Sequence, residues 1–199
     1  EKAELSGGYD FTRMISPTQG NANTGPLIPD VIITEIHYNP VAGTDYEYVE
    51  LYNRTGSPVT LMSLADRYTS PTTYVTENIP WRLEGTGFEF PANTTIPAGG
   101  RIIVAKDPTR YGGPSSSVLG PYDGKLDNGG EQIELQTPGD WEYGESSRYW
   151  IPIEKIDYDD AAPWPITPDG GGDSLHRINP SLYGRDYSNW QADNPNPGL

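Results

Sequence analysis

From residue 31 onward the chain runs in short segments that are β-branched or alternate apolar with polar residues, each closed by Gly, Pro, Asn or Asp. Side chains two apart share one face of a strand, so the pattern predicts many half-buried strands joined by turns. "VIITEIHY" stops at Asn39-Pro40. "YEYVELYN" places Tyr46, Tyr48, Glu50 and Tyr52 on one side and Glu47, Val49, Leu51 and Asn53 on the other, and the Val49 and Leu51 side is expected to face the core. "SPVTL" resumes after the turn at Arg54-Thr55-Gly56, and "GFEFP", "TTIPAGGRIIVAKD", "GEQIELQ" and "RYWIPIEKIDYDD" follow before a Trp-rich tail. No stretch keeps a 3.6-residue period for more than about two turns. So many short strands need two inner faces that cover one another, which makes the expected architecture all-β, a two-sheet sandwich.

Two stretches depart from this rhythm. Residues 1–30 hold "SPTQGNANTGPLIPD", which lacks sustained periodicity and reads as an extended arm, a linker or the tail of a preceding domain, with one short ordered piece around Tyr9 to Met14. "YDFTRMISPTQGNAN" faintly echoes "RDYSNWQADNPNPGL" at the other end, as expected if similar domains stand in tandem, with residues 31–199 forming one of them. The first residue is Glu rather than Met, which suggests a fragment of a longer protein. Between Leu61 and Phe88 lies an insertion too long for an ordinary hairpin connection, with a strand expected around Ile79 to Leu83. Individual specificity is expected to reside in such a loop.

Composition narrows the function. The net charge of -15 would repel a phosphate backbone, and no basic run offsets it, so nucleic acid is not an expected partner. There is no cysteine, hence no disulfide, thiolate nucleophile or Cys-held zinc. No apolar run reaches the roughly 20 residues that span a bilayer, so direct membrane insertion is not expected.

In order, "VIITEIHYNP", "DYEYVELYNRTGSPVTLMSL", "FEFPANTTIPAGGRIIVAKD", "GPYDGKLDNGGEQIELQTPGD", "IDYDDAAPWPITPDGGGDSLHR" and "SNWQADNPNPG" resemble the lamin tail domain in its bacterial extracellular form, from about residue 31 to 199. The insertion after Leu61 departs from the short connection usual in that family. The resemblance implies an immunoglobulin-like β-sandwich without enzymatic activity. It implies an interaction, adhesion or anchoring module of a larger exported protein, placed outside the cell or on its surface. Its partners would be neighbouring domains and another protein or a cell-surface polysaccharide.

The residues themselves offer few sites. Tyr46, Tyr48 and Tyr52 share a strand face and suggest a platform for sugar rings, as in a carbohydrate-binding module attached to a hydrolase; the plainer reading is cross-strand packing. Asp157, Asp159, Asp169 and Asp173 surround a Gly-rich turn, where hard oxygen ligands suit Ca²⁺, although Asp beside Gly is also ordinary turn chemistry. No other cofactor is expected. His37 and His176 lack a ligand spacing, and "GGGD" at 170–173 lacks the Lys-Ser/Thr of a phosphate loop. Glu47 and Glu50 fall on opposite strand faces and cannot flank one glycosidic bond. No catalytic residue is proposed from the sequence. Trp164, between two prolines, is expected to cap the core.

Overall fold

The computed structural model describes residues 2–3, 9–10, 13–16, 19–22 and 24–198. In the N-terminal arm β1 (Lys2–Ala3) pairs with β2 (Tyr9–Asp10), and Met14 bridges Pro26. The remaining strands are β3 (Val31–His37), β4 (Tyr48–Asn53), β5 (Val59–Thr60), β6 (Met62–Ser70), β7 (Thr73–Pro80), β8 (Arg82–Glu84) and β9 (Phe88–Glu89). Then come β10 (Thr95–Ile96), β11 (Arg101–Ala105), β12 (Val118–Leu119), β13 (Glu131–Pro138), β14 (Trp150–Tyr158), β15 (Ser174–Arg177) and β16 (Trp190–Asp193). Among the described residues the only helical pieces are 3-10 turns at Thr44–Tyr46, Pro108–Tyr111 and Tyr187–Asn189.

The fold is an all-β, immunoglobulin-like sandwich. One sheet has the order β12-β11-β4-β3-β15-β16 and the other β14-β13-β8-β9, with β5 and β10 forming a small pair beside them. Ile33, Ile36, Val49, Leu51, Ile102 and Val104 of the first sheet meet Leu83, Ile133, Leu135 and Ile156 of the second. Val49 and Leu51 are fully buried, as their period-two phase predicts. Trp164 and Trp190 close one flank of this core with ring centroids 6.0 Å apart. The expected capping role of Trp164 is what the structure shows.

Polar side chains on the core face at β4 are held by specific partners, with Glu47 Oε1 left without one among the described residues. Asn53 Nδ2 donates to the carbonyls of Ser57, Ile96 and Pro97 at 2.8, 3.0 and 2.9 Å. Glu47, just before the strand, accepts at Oε2 from the Tyr122 hydroxyl and the Leu126 amide, both at 2.9 Å. Most buried polar groups in folded proteins have such partners.

Two strand features depart from simple alternation. In β3 the pairing with β4 shifts between Ile33 and Glu35, and this bulge turns both Thr34 and Glu35 away from the core while returning Ile36 to it. In β14, on the edge of its sheet, a second shift opposite Leu135 and Gln136 accompanies Pro152. Proline and a bulge both discourage further strand pairing there.

The insertion after Leu61 is itself ordered. It is the long hairpin β6–β7 followed by β8, so the strand expected at Ile79 to Leu83 begins earlier and is split in two. The tail likewise contains β15 and β16, which complete the first sheet.

Candidate functional site

The outer face of the first sheet gathers the titratable residues of β3, β4 and β15. Glu35 Oε1 accepts from the Tyr48 hydroxyl, from Ser174 Oγ at 2.6 Å and from the Asn196 amide at 3.2 Å. Glu50 Oε1 accepts from Thr34 Oγ1 at 2.6 Å and Arg101 Nε at 2.9 Å, and Oε2 accepts from the Gly198 amide at 2.8 Å. The segment at 196–198 thus lies across buried carboxylates. Burial raises the Glu50 carboxyl pKa, with Thr34, Gly198 and Arg101 pulling it back.

His37 packs edge-on against Tyr48 at 5.4 Å, and neither of its ring nitrogens has a hydrogen-bond partner among the described residues. Burial drives its pKa down to about 4; the Tyr46 carbonyl opposes this and His176 reinforces it. His176 Nε2 lies 2.8 Å from Ser174 Oγ and 3.3 Å from Glu35 Oε1. A nucleophilic triad needs the imidazole to use one nitrogen toward the hydroxyl and the other toward the carboxylate. Here one nitrogen faces both and Ser174 is fully buried, so the cluster holds the sheet together and presents no reachable nucleophile.

The three tyrosines do not form one exposed face. Tyr46 sits in the turn before β4 with the Arg110 guanidinium 4.9 Å from its ring centre. Tyr48 is fully buried, packed against Tyr111 at 5.4 Å, and Tyr52 is half-buried under Arg101 at 4.5 Å. Strand phase placed Tyr48 and Tyr52 on one side correctly. The Pro108–Tyr111 turn and the 196–198 segment cover part of that side, and nothing local in β4 encodes them.

The four aspartates each have a hydrogen-bond partner of their own. Asp157 accepts from Arg185 and from Gln132 Nε2 at 2.6 Å; Asp159 caps the Ala161 amide at 2.8 Å. Asp169 accepts from Asn39 Nδ2 at 2.6 Å and Asp173 from Thr167 Oγ1 at 2.5 Å. Each oxygen named serves a local turn or pair. Among the described residues no three or more His, Cys, Asp or Glu side chains converge to hold a metal ion.

The insertion after Leu61, where the sequence led us to expect individual specificity, forms the β6–β7 hairpin, a strand pair that the sequence did not announce. Its pairing sets Leu64 opposite Asn78, Asp66 opposite Thr76 and Tyr68 opposite Tyr74 on one face. That face points outward, with Leu64 71% and Tyr74 52% exposed and the Tyr68 and Tyr74 rings 5.3 Å apart. The other face rests on the body. Ala65 is buried, Ser63 Oγ accepts from Trp81 Nε1 at 2.8 Å, and Glu77 binds Arg67 at 2.8 Å and Arg148 at 3.2 Å. Beyond β6, Trp141 exchanges backbone bonds with Asp66 and Tyr68 at 2.8 and 2.9 Å. The available signal was Ser70-Pro71-Thr72-Thr73, turn residues at the middle of the insertion, but the flanking runs alternate too weakly to announce strands.

A cavity of 540 Å³ lies between the arm and β14, where Trp81, Ile151 and Ile153 provide apolar wall and Glu154 and Lys155 polar groups. Its size and mixed lining are those of a small-ligand pocket.

The sequence model of one family, described as the Lamin Tail Domain, matches residues 26–142. No curated protein and no solved structure matches the chain. The matched range holds the hairpin and ends before β14, β15 and β16.

Proposed function

Because the chain belongs to the lamin tail domain family, a family of immunoglobulin-like, non-enzymatic interaction domains, we propose that it serves as an adhesion, anchoring or interaction module of a larger bacterial exported protein at the cell surface. The observation that carries this reading is the contrast between its two polar and apolar surfaces. The carboxylates and histidines of the outer sheet face are closed in by their own fold, whereas the β6–β7 hairpin presents Leu64, Tyr68 and Tyr74 outward on a ribbon bonded to Trp141 along its outer edge. Exposed apolar and aromatic side chains gathered on one face mark interaction surfaces.

The test is binding of the labelled protein to intact bacterial cells and to arrayed surface proteins, compared with a Leu64→Asp, Tyr74→Ala variant. Binding that the variant loses supports the reading; binding equal in both sinks the assignment to the hairpin. Turnover of any ester, glycoside or peptide in a substrate panel would overturn the non-catalytic part.

A polysaccharide ligand, as in a module attached to a hydrolase, is the second reading. The cavity beside Trp81 favours it, since an indole wall beside Glu154 and Lys155 combines stacking surface with hydrogen-bonding groups. A glycan array with and without Ca²⁺, run on wild type and Trp81→Ala, separates the two readings.

A further inference from the structure

We propose that the free edge of β7 pairs antiparallel with β7 of a second copy of this chain, extending two hairpins into one continuous ribbon. The inference rests on the interaction reading above and names its partner and contact.

Strand edges are templates for pairing, and folds blunt them. In this structure β12 and β9 are two residues long, β16 is four, and β14 carries Pro152 and a bulge. The outer edge of β6 is taken by Trp141. β7 differs from all of these. It runs eight residues, Thr73–Pro80, with proline only at its last position, no lysine, and no register shift between Tyr74 and Pro80. Thr73, Tyr74, Val75, Thr76 and Asn78 are exposed, and among the described residues only β6 bonds its backbone as a strand. In an antiparallel ladder alternate residues turn their N–H and C=O away from the existing partner, so half the backbone groups of β7 face outward.

The second copy is favoured by charge and by sequence symmetry. The protein carries -15 overall, yet residues 62–80 contain only Asp66, Arg67 and Glu77, a net of -1, and Glu77 is already neutralised by Arg67 and Arg148. Two copies that meet at these hairpins therefore bring little local charge against one another. A two-fold axis at Thr76 sets Thr76 against itself, Tyr74 against Asn78 of the other copy, and Val75 against its Glu77. Threonine opposite threonine is a favourable cross-strand pair, and no like charges stand opposite one another in this register.

Sedimentation of the intact protein from low to about 1 mM concentration, in low and high salt, tests the pairing. The expected result is a monomer–dimer equilibrium that tightens with salt as the net repulsion is screened. Thr76→Lys, which places like charges across the axis, is expected to weaken it about tenfold while leaving the far-UV circular dichroism unchanged. Thr76→Cys gives a protein with a single thiol, expected to oxidise to a covalent dimer much faster than Ser117→Cys. A wild type that stays monomeric throughout, a dimer that Thr76→Lys leaves intact, or equal crosslinking at 76 and 117 overturns the proposal. If sedimentation shows only monomer while the Leu64→Asp, Tyr74→Ala variant still loses cell binding, the interaction reading stands and the self-pairing falls.

Discussion

Arg177 on β15 donates from Nη1 to Glu154 Oε1 on β14 at 2.7 Å, so a buried ion pair links the two sheets. The same guanidinium reaches the Ile33 carbonyl at 3.1 Å and the Leu182 carbonyl at 2.6 Å. Burial lifts the Glu154 carboxyl pKa to about 7 even though Arg177 pulls it down. Removing one partner strands the other charge in the interior. Glu154→Ala is therefore expected to cost about 3–5 kcal/mol in urea unfolding, and Glu154→Leu combined with Arg177→Met to recover most of it. A double variant no more stable than the single would show that the pair does more than satisfy itself.

Gly184 packs against this pair. A Cβ there would collide with Glu154 Oε1 and lie 2.7 Å from Ile156 Cδ1. Gly184→Ala is expected to destabilise by about 1–3 kcal/mol, read as a lower urea midpoint with an unchanged slope.

His37 supplies a pH dependence with a definite sign. Its pKa falls from 6.5 to about 4 on folding, chiefly through burial. Between those values the unfolded chain takes up a proton that the folded chain refuses, so its contribution is complete above pH 6.5 and is lost as pH drops through 4. Glu154 acts oppositely: its contribution is complete below about 4.5 and is lost as pH rises through about 7. The two partly cancel in wild type. The stability difference between wild type and His37→Phe isolates the histidine and should shrink by about 3 kcal/mol from pH 7 to pH 4. A constant difference would mean that His37 titrates alike in both states.

Asn53 closes one end of the core by donating to three carbonyls, and its own Oδ1 accepts from the Thr55 amide at 3.0 Å. Asn53→Ala removes all three of these bonds, although the Gly100 amide still donates to the Pro97 carbonyl and Thr55 Oγ1 to the Ser57 carbonyl, and it is expected to cost about 1–3 kcal/mol. Asn53→Asp should cost more, because a carboxylate oxygen then faces the carbonyls. Thermal unfolding of the two variants orders them.

The hairpin leaves and re-enters the sandwich at one point. The Trp81 amide donates to the Leu61 carbonyl at 2.9 Å, so the ends of the insertion already meet. Replacing residues 62–80 by Asn-Gly is expected to keep the far-UV spectrum of the sandwich and cooperative unfolding while abolishing hairpin-dependent binding. Loss of cooperative folding would show instead that the hairpin belongs to the core.

What the sequence determined by itself is the local part of this structure. Period-two alternation assigned Val49 and Leu51 to the interior, separated Glu47 from Glu50, and announced a sandwich, because side-chain direction along a strand follows from backbone geometry alone. The ordered motifs likewise pointed to the family. Alternation cannot say whether a strand's second face is covered. Tyr48 is buried because the Pro108–Tyr111 turn and the 196–198 segment lie over it, and their contacts come from distant parts of the chain. The aspartates near the Gly-rich turn were grouped by sequence proximity, but Asn39, Gln132 and Arg185 draw individual members to different partners. Likewise β15 and β16 are four residues each and carry Ser, His, Arg, Gln and Asp, too short and polar to read as strands until β3 supplies the ladder they complete. Tertiary structure decided these points because hydrogen-bond partners and burial depend on which segments meet in space.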